Sequence, residues 1–422
     1  MTAKPIFSGD VVVSGGGLAG LTLALGLHTA GVRVALIDAA PLDASHDPGF
    51  DGRASALAFT SWRVLKEIGA ATHLSGQAQR IEDILVVDGR PTDGVRPGGP
   101  GLDQLRFDRR EIHPGDDGEP LGYMVENRHS RIALAKAAEA AGLPVFAPER
   151  AVSMTAEAGG AILHLESGKH IAASLVVACD GKTSPLREGA GIRSAGVRYG
   201  QSAVVLTVEH ELSHEGVAYE FFMPAGPFAI LPLPGNRSSL VWTESHEAAA
   251  ALKSMDTQGF QEALEARFGD FLGEVKPIGP RWTYPLGLVL AETFVADRLA
   301  LAGDAARSIH PIAGQGFNLG IRDAAALCEV VVDAVRVGID PGSVPVLARY
   351  ERWRKTDSAA LALGTDGFNR LFSNDIGPLR HARGLGLTLT NAIPAARRFF
   401  METAGGATGD LPRLLKGESL RL

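Results

Sequence analysis

The run Gly303-Asp304-Ala305-Ala306-Arg307-Ser308-Ile309-His310-Pro311-Ile312-Ala313-Gly314-Gln315-Gly316-Phe317-Asn318-Leu319-Gly320 concentrates the groups able to do chemistry. A strand end, an acidic turn, a proline and then glycines opening a helix follow one another within it. The Asp304 carboxylate can accept from a sugar-alcohol hydroxyl. The glycines let backbone N–H groups approach a ligand closely, and the helix start offers partial positive charge to a developing anion. That combination can hold the ribityl and ring portions of a flavin.

A second constellation lies near the N-terminus. Gly15-x-Gly17-Leu18-Ala19-Gly20 sits between an apolar strand and a helix, where a tight turn would bring a pyrophosphate to the helix N-terminus. Asp38 ends the next strand, where a carboxylate would accept from the ribose hydroxyls of an adenosine half. A GxGxxG turn alone is weak evidence, since a glycine-packed turn needs no ligand. Paired with the Asp304 run, it points to one bound FAD. A third motif, Cys179-Asp180-Gly181-Lys182-x-Ser184-x-x-Arg187, follows the apolar strand Leu175–Ala178. Asp-Gly would end a strand in a turn whatever its function.

These motifs need elements to position them. Asp10–Ser14, Leu18–Ala30 and Val32–Asp38 read as a β-α-β unit. Helical pattern continues near Leu65–Gly69 and Ser130–Ala141, with strands near 162–165 and 171–178. From 197 to 245 the texture changes to Ala203–Val208, Ala218–Met223, Phe228–Leu233 and Ser239–Thr243, an antiparallel sheet with one wet face. Trp282–Leu286 follows, and Arg298–Ala302 returns to the first lobe. The reading is a discontinuous first domain (1–75, 100–185 and 290–365), a second domain (76–99 and 186–289), and a helical extension over 366–422.

Composition narrows the function classes. With 422 residues, 45% of them hydrophobic, the chain can bury two sizeable cores. A net charge of -7 provides no basic field for nucleic acid. Cys179 and Cys328 are too few for a disulfide framework or a thiolate metal site, so a reducing cytoplasm is the natural reading and no metal is expected. No window reaches the roughly 18 apolar residues of a spanning helix. Residues 370–401 do carry Arg370, Arg380, Arg383, Arg397 and Arg398 against Asp375, with Leu385, Leu387, Leu389, Ile393, Phe399 and Phe400 among them. A basic amphipathic stretch of this kind can rest on an anionic bilayer, here peripheral to the inner membrane; equally, it can pack on the first lobe with solvated arginines.

The three motifs together resemble the FAD-dependent aromatic monooxygenases, and within them the ubiquinone-biosynthesis hydroxylase family. The closer likeness rests on Asp51-Gly52-Arg53-Ala54-Ser55-Ala56-Leu57, Glu126-Asn127-Arg128, Gly226-Pro227-Phe228-Ala229-Ile230-Leu231-Pro232-Leu233, the stretch His310–Asp323, and the tail Leu411–Glu418. It spans almost the whole length and is weakest over 40–50 and 90–120. The resemblance implies an α/β fold of the p-hydroxybenzoate-hydroxylase kind, a Rossmann-like FAD-binding lobe with an inserted antiparallel-sheet substrate lobe. It implies that Gly15, Gly17, Leu18, Ala19, Gly20, Asp38, Asp180, Gly303 and Asp304 hold FAD, with Arg53 near the flavin and Arg128 near its phosphates. Gly314, Gln315, Gly316, Phe317 and Asn318 would place amides at the pyrimidine edge of the ring, with Pro311 and His310 near the ring where oxygen adds. Arg307 departs from the family, which commonly carries His there. That removes a candidate for proton transfer but leaves cofactor binding intact.

The family's chemistry would be reaction of reduced FAD with O2 to a C4a-hydroperoxide and transfer of one oxygen to a polyprenyl phenol, electrons arriving from NAD(P)H or a protein donor. Phe221, Phe222, Phe228, Leu231 and Pro232 are candidates to line an apolar substrate pocket, or else are sheet core. Association with other quinone-biosynthesis enzymes would suit a lipid-borne substrate. Hydroxylation of a soluble aromatic compound, and a non-catalytic flavoprotein assembly subunit, are the competing readings. Replacing Asp304 with Ala is expected to give a largely colourless protein on purification; full flavin occupancy by visible absorbance would refute the cofactor assignment.

Overall fold

The computed structural model describes residues 4–42, 52–88, 104–115, 118–308, 315–355 and 390–422. Val11, Val12 and Val13 form an unbroken apolar run, and all three are fully buried in strand β1 (Ser8–Ser14). Burial on both faces suits a central parallel strand. Accordingly, β1 pairs in parallel with His170–Ala178 on one side and β2 (Val34–Ile37) on the other. Helix α1 (Leu18–Thr29) crosses between β1 and β2 and is buried from Gly20 through Leu27. Gly26 lets it approach the long helix Gln315–Arg336, since a Cβ there would lie 2.7 Å from the Cys328 sulfur. Leu299–Leu301 joins the same sheet beside His170–Ala178, so residues far apart in the chain build one layer.

The second sheet has eight strands among the described residues, in the order Arg307–Ser308, Val275–Ala291, Ser194–His210, Arg237–Ser245, Gly226–Leu233, Val217–Met223, Asp83–Asp88 and Gln104–Asp108. Pairing is antiparallel except between Val217–Met223 and Asp83–Asp88. Two of its strands are far longer than the sequence suggests: Ala203–Val208 and Trp282–Leu286 are segments of 17-residue strands, Ser194–His210 and Val275–Ala291. Gly200, Pro277, Gly279 and Pro285 read as interruptions. The pair absorbs them at register shifts between Arg198 and Ser202 and between Val205 and Thr207. Gln104–Asp108 also departs from the expected division, in which 100–185 belonged to the first lobe. It pairs with Asp83–Asp88 and extends the second sheet. A small third sheet, Ala54–Ala58, Gly122–Glu126 and Ala78–Ile81, is antiparallel throughout.

In the middle of the sheet the expected wet face is replaced by burial on both sides. Ser202–Val208 is buried at every position, as are Gly226–Ile230. Alternation sends Val204, Leu206, Phe221, Phe228, Ile230, Leu240 and Trp242 into one core, closed by the helices His246–Ser254 and Thr257–Phe268. On the opposite face, Ala203, Val205 and Val241 pack with Trp282, Tyr284 and Leu286. Farther along that face Ala218, Leu231 and Leu233 meet Ala54, Ala56 and Met124 of the third sheet. Solvent reaches the sheet instead along the outer stretches of the two long strands, where Ser194–Arg198 is exposed and most of Val275–Ala291 is half-buried or exposed.

Phe221 is fully buried on the helix side, in edge or tilted contact with Phe228 and Phe271. Phe221→Ala is expected to lower stability by about 3–5 kcal/mol in denaturant melts.

Candidate active site

The glycine turn is shaped by contacts that exclude a side chain. Gly15 has φ of +108°, and a Cβ there would stand 2.3 Å from the Cys179 carbonyl oxygen; one at Gly20 would stand 1.9 Å from the Gly15 carbonyl oxygen. Gly17 differs: a Cβ there meets nothing within 4 Å. Gly17 is the N-cap of α1, makes no side-chain cap, and the first helical turn has no acidic residue. No N-cap side chain takes up the orphan N–H groups at this helix start, and the space at Gly17 is open, which suits a phosphate. Leu18 and Ala19 follow, half-buried. Asp38 sits beside the turn, accepting from the Gly16 amide and, at 2.7 Å, from the Ala40 amide. Its carboxylate steadies the glycine loop and retains a lone pair on each oxygen for a ribose hydroxyl.

The Asp304 turn abuts this helix. Cβ atoms placed on Gly303 or Gly320 would each lie 3.0 Å from the Ala19 Cβ, so α1, the turn and the long helix converge on one small residue. Gly303 itself has φ of +61°. Its N–H donates to Asp323 at 2.9 Å, and Arg307 grips both oxygens of the same carboxylate at 2.9 Å each. Arg354 adds a third donor at 2.8 Å, while Arg307 also reaches the Leu319 carbonyl at 3.0 Å. Arg307, Asp323 and Arg354 are all buried. Arg307 thus fastens the turn to the long helix and takes no part in solvent-facing proton transfer. Asp304 is reachable by solvent yet hemmed in by protein. That crowding raises its pKa, opposed by Lys182, Arg53 and Arg307. It is placed to accept from a hydroxyl-bearing ligand.

The Asp180 motif is joined to this turn. Arg187, buried, donates to the Ala305 carbonyl at 3.0 Å and the Lys182 carbonyl at 2.9 Å. Ser184 caps the short helix Pro185–Gly189 by accepting from the Arg187 amide. Asp180 accepts at 3.4 Å from the Leu186 amide, and its Oδ1 is buried without a partner. Burial raises the Asp180 pKa, with Ser184 the largest of the opposing influences.

Arg53 and Arg128 flank the third sheet, where Ala54 pairs with Glu126 and the Asn127 amide donates to the Arg53 carbonyl at 2.9 Å. Arg53 lies 5.6 Å over the Tyr284 ring, and Arg128 is ion-paired at 2.7 Å with Glu126, which is buried and also meets His129 at 3.0 Å. Asn318 spends its side chain on backbone, accepting from the Ala58 amide at 2.9 Å and donating to the Ala56 carbonyl at 2.7 Å. Phe317 is half-buried and Gly316 exposed at the start of the long helix, which Gln315 opens. His310, Pro311 and Gly314 lie outside the described residues. The five pocket candidates are not brought together. Phe221 and Phe228 face the helices, Phe222 packs with Leu105, and Leu231 faces the third sheet. Pro232 is buried opposite Ser238. Asp323 and Arg187 carried no signal beyond lying in quoted motifs, and Arg354, in a charged helical stretch, carried none.

Residues 8–361 match the family model described as an FAD binding domain. Across 97% of its length the chain is 45% identical to ubiquinone hydroxylase UbiL of Rhodospirillum rubrum, covering 93% of that protein. The chain belongs to the FAD-dependent ubiquinone-biosynthesis hydroxylase family. Another relative, 3-demethoxyubiquinol 3-hydroxylase of Escherichia coli, is 34% identical over 96% of this chain and 100% of its own. Among solved structures, p-nitrophenol 4-monooxygenase PnpA from Pseudomonas putida aligns with a TM-score of 0.77 at 17% identity, covering 96% of this chain and 100% of that one, a likeness of fold. As a member of this family the chain is an FAD-dependent monooxygenase, with O2 as co-substrate. The groups described above suit the cofactor: an uncapped helix start for its pyrophosphate and an available carboxylate for its ribityl chain. Truncating Asp323 to Ala leaves Arg307 and Arg354 buried without their anion, an expected loss of about 3–5 kcal/mol by thermal melting, together with flavin.

Proposed function

We propose that this FAD-dependent hydroxylase adds one oxygen to the aromatic ring of a polyprenyl phenol in ubiquinone biosynthesis. The observation that carries the reading is the apolar face that the second sheet turns toward the third. The cross-strand row Trp282, Val205, Val241, Ala229, Glu220 and Val86 is apolar but for one acid and holds no cation of its own to receive the carboxylate of a soluble aromatic acid, the nearby Arg53 being stacked over Tyr284. FAD supplies the activated oxygen when bound. Around it, the α1 amides and Asp38 serve the adenosine-pyrophosphate half, Asp304 the ribityl chain, and Asp180 and Arg53 the flanks. Apolar packing of Ala54, Ala56, Ala218 and Leu231 keeps water from the reacting atoms.

The same apolar cluster takes in Met401 from the helix Pro394–Ala404. That helix and its N-cap expose Phe399 (59%), Phe400 (37%) and Ile393 (43%), while Arg397 is held at 2.9 Å by Glu111. Arg398, also exposed, accompanies the aromatic pair. Peripheral contact with an anionic bilayer through this surface would bring a lipid-borne substrate close to the site. No helix among the described residues is long and apolar enough to cross a membrane. Electrons come from NAD(P)H or a protein donor in this reading.

The test is a mass-spectrometric quinone-lipid profile of a strain lacking the gene, with and without plasmid rescue. Accumulation of a polyprenyl phenol one oxygen short, reversed by rescue, is the expected outcome. An unchanged profile would count against a quinone precursor as substrate.

A further inference from the structure

One acidic side chain lies on the face of the second sheet opposite the helix-backed core. Glu220 stands between Tyr219 and Phe221, whose rings enter the helix-side core, so alternation turns it to the opposite face. There it lies directly opposite Ala229 on one neighbouring strand and Val86 on the other. The same row continues through Val241 and Val205 to Trp282. Trp282 in turn packs against Gly52, beside Arg53, where a Cβ would stand 2.4 Å from the indole. Ala218 and Phe222 flank Glu220 along its own strand. Glu220 is therefore a single acid in an otherwise apolar cross-strand row whose far end, Trp282, packs against Gly52.

Glu220 is half-buried, and neither a hydrogen bond nor an ion pair reaches it among the described residues. Burial alone pushes its pKa up to about 8. A carboxyl so placed costs stability, and packing would be better served by Leu or Met. A ligand that brings its own polar partner accounts for it. The group it suits is a hydroxyl on an otherwise apolar ring.

We propose that Glu220 receives the hydroxyl of the phenol substrate. This rests on the phenol-hydroxylase reading and deepens it by naming the group that recognises the O–H. In its ionised form, which gains population as pH rises toward about 8, Glu220 accepts the phenol's hydrogen bond through a carboxylate oxygen and fixes the ring's orientation beneath the sheet. When the O–H bond breaks, the proton passes to Glu220 and the electron pair stays on the phenolate oxygen, with no change of oxidation state. The electron-rich ring is then a better nucleophile toward the electrophilic oxygen that the family's established chemistry supplies. A carboxyl with a raised pKa is also nearer to a phenol's pKa of about 10 than an ordinary glutamate at about 4.3 is.

The experiment compares wild-type, Glu220→Gln and Glu220→Leu holoenzymes on three compounds: a short-chain 2-prenylphenol, its methyl ether, and a simple soluble phenol. Flavin content and melting temperature are measured alongside product formed per O2 consumed. Both variants should keep full flavin, and Glu220→Leu should melt no lower than wild type. Their kcat/KM for hydroxylation should fall roughly 100-fold, with O2 consumption uncoupled from product. Wild type should favour the phenol over its methyl ether, and Glu220→Leu should lose that preference. Unchanged preference and coupling in both variants would overturn the assignment. Failure of the quinone-precursor reading would look different: the soluble phenol would be turned over in place of the prenylphenol, with dependence on Glu220 intact.

Discussion

One buried carboxylate organises the catalytic half of this protein. Asp323 is fully enclosed and receives donors from Arg307, Arg354 and the Gly303 amide. Desolvating three charges is costly, and only short, well-directed hydrogen bonds offset it. The consequence is a turn with little freedom. Gly303 is tied to the long helix by its own N–H, and Ala305 is held from the other side by Arg187. Asp304, between them, has its backbone fixed from both directions while its side chain stays available. Because Arg187 belongs to the Asp180 motif, the two acidic turns are anchored as a unit.

The second sheet depends on a different constraint, that a strand has only two faces. One face is consumed by aromatic packing against two helices, with the Phe228 and Trp242 rings 5.7 Å apart and Phe268 stacked on Phe271 at 5.5 Å. The other face forms an apolar roof in which Ala203, Val205 and Val241 pack with Trp282, Tyr284 and Leu286. The two 17-residue strands carry that roof from the helix-backed core to the Asp304 turn, since Val289 and Leu290 pair with Ser308 and Arg307. Sheet, turn and long helix are thereby mechanically continuous, which suits chemistry that requires a ring held in one place and water kept out.

Much of this was legible in the chain. The β-α-β unit, the glycine spacing, the Asp304 turn and the antiparallel texture after 197 follow from local rules: period, turn chemistry and the steric freedom of glycine. Those rules act within a few residues, so they can be read without the fold. Strand lengths were not legible, because Gly and Pro residues that normally end a strand are tolerated where a bulge absorbs them. Nor was the burial of both faces over Ser202–Val208 and Gly226–Ile230, since it depends on what packs from elsewhere.

By itself, then, the sequence determined that a Rossmann-like lobe with an inserted sheet would bind a flavin, because the identities and spacings of glycines and carboxylates already encode that geometry. Tertiary structure alone decided what single residues do. Arg307 looked like a lost histidine and is a buried clamp. Phe221 and Phe228, readable as pocket lining or as sheet core, are core, while Glu220, unremarked in a strand of aromatics, turns to the opposite face. In each case the deciding quantity is which groups from distant parts of the chain surround the side chain, and through that its solvation, and no local pattern carries it.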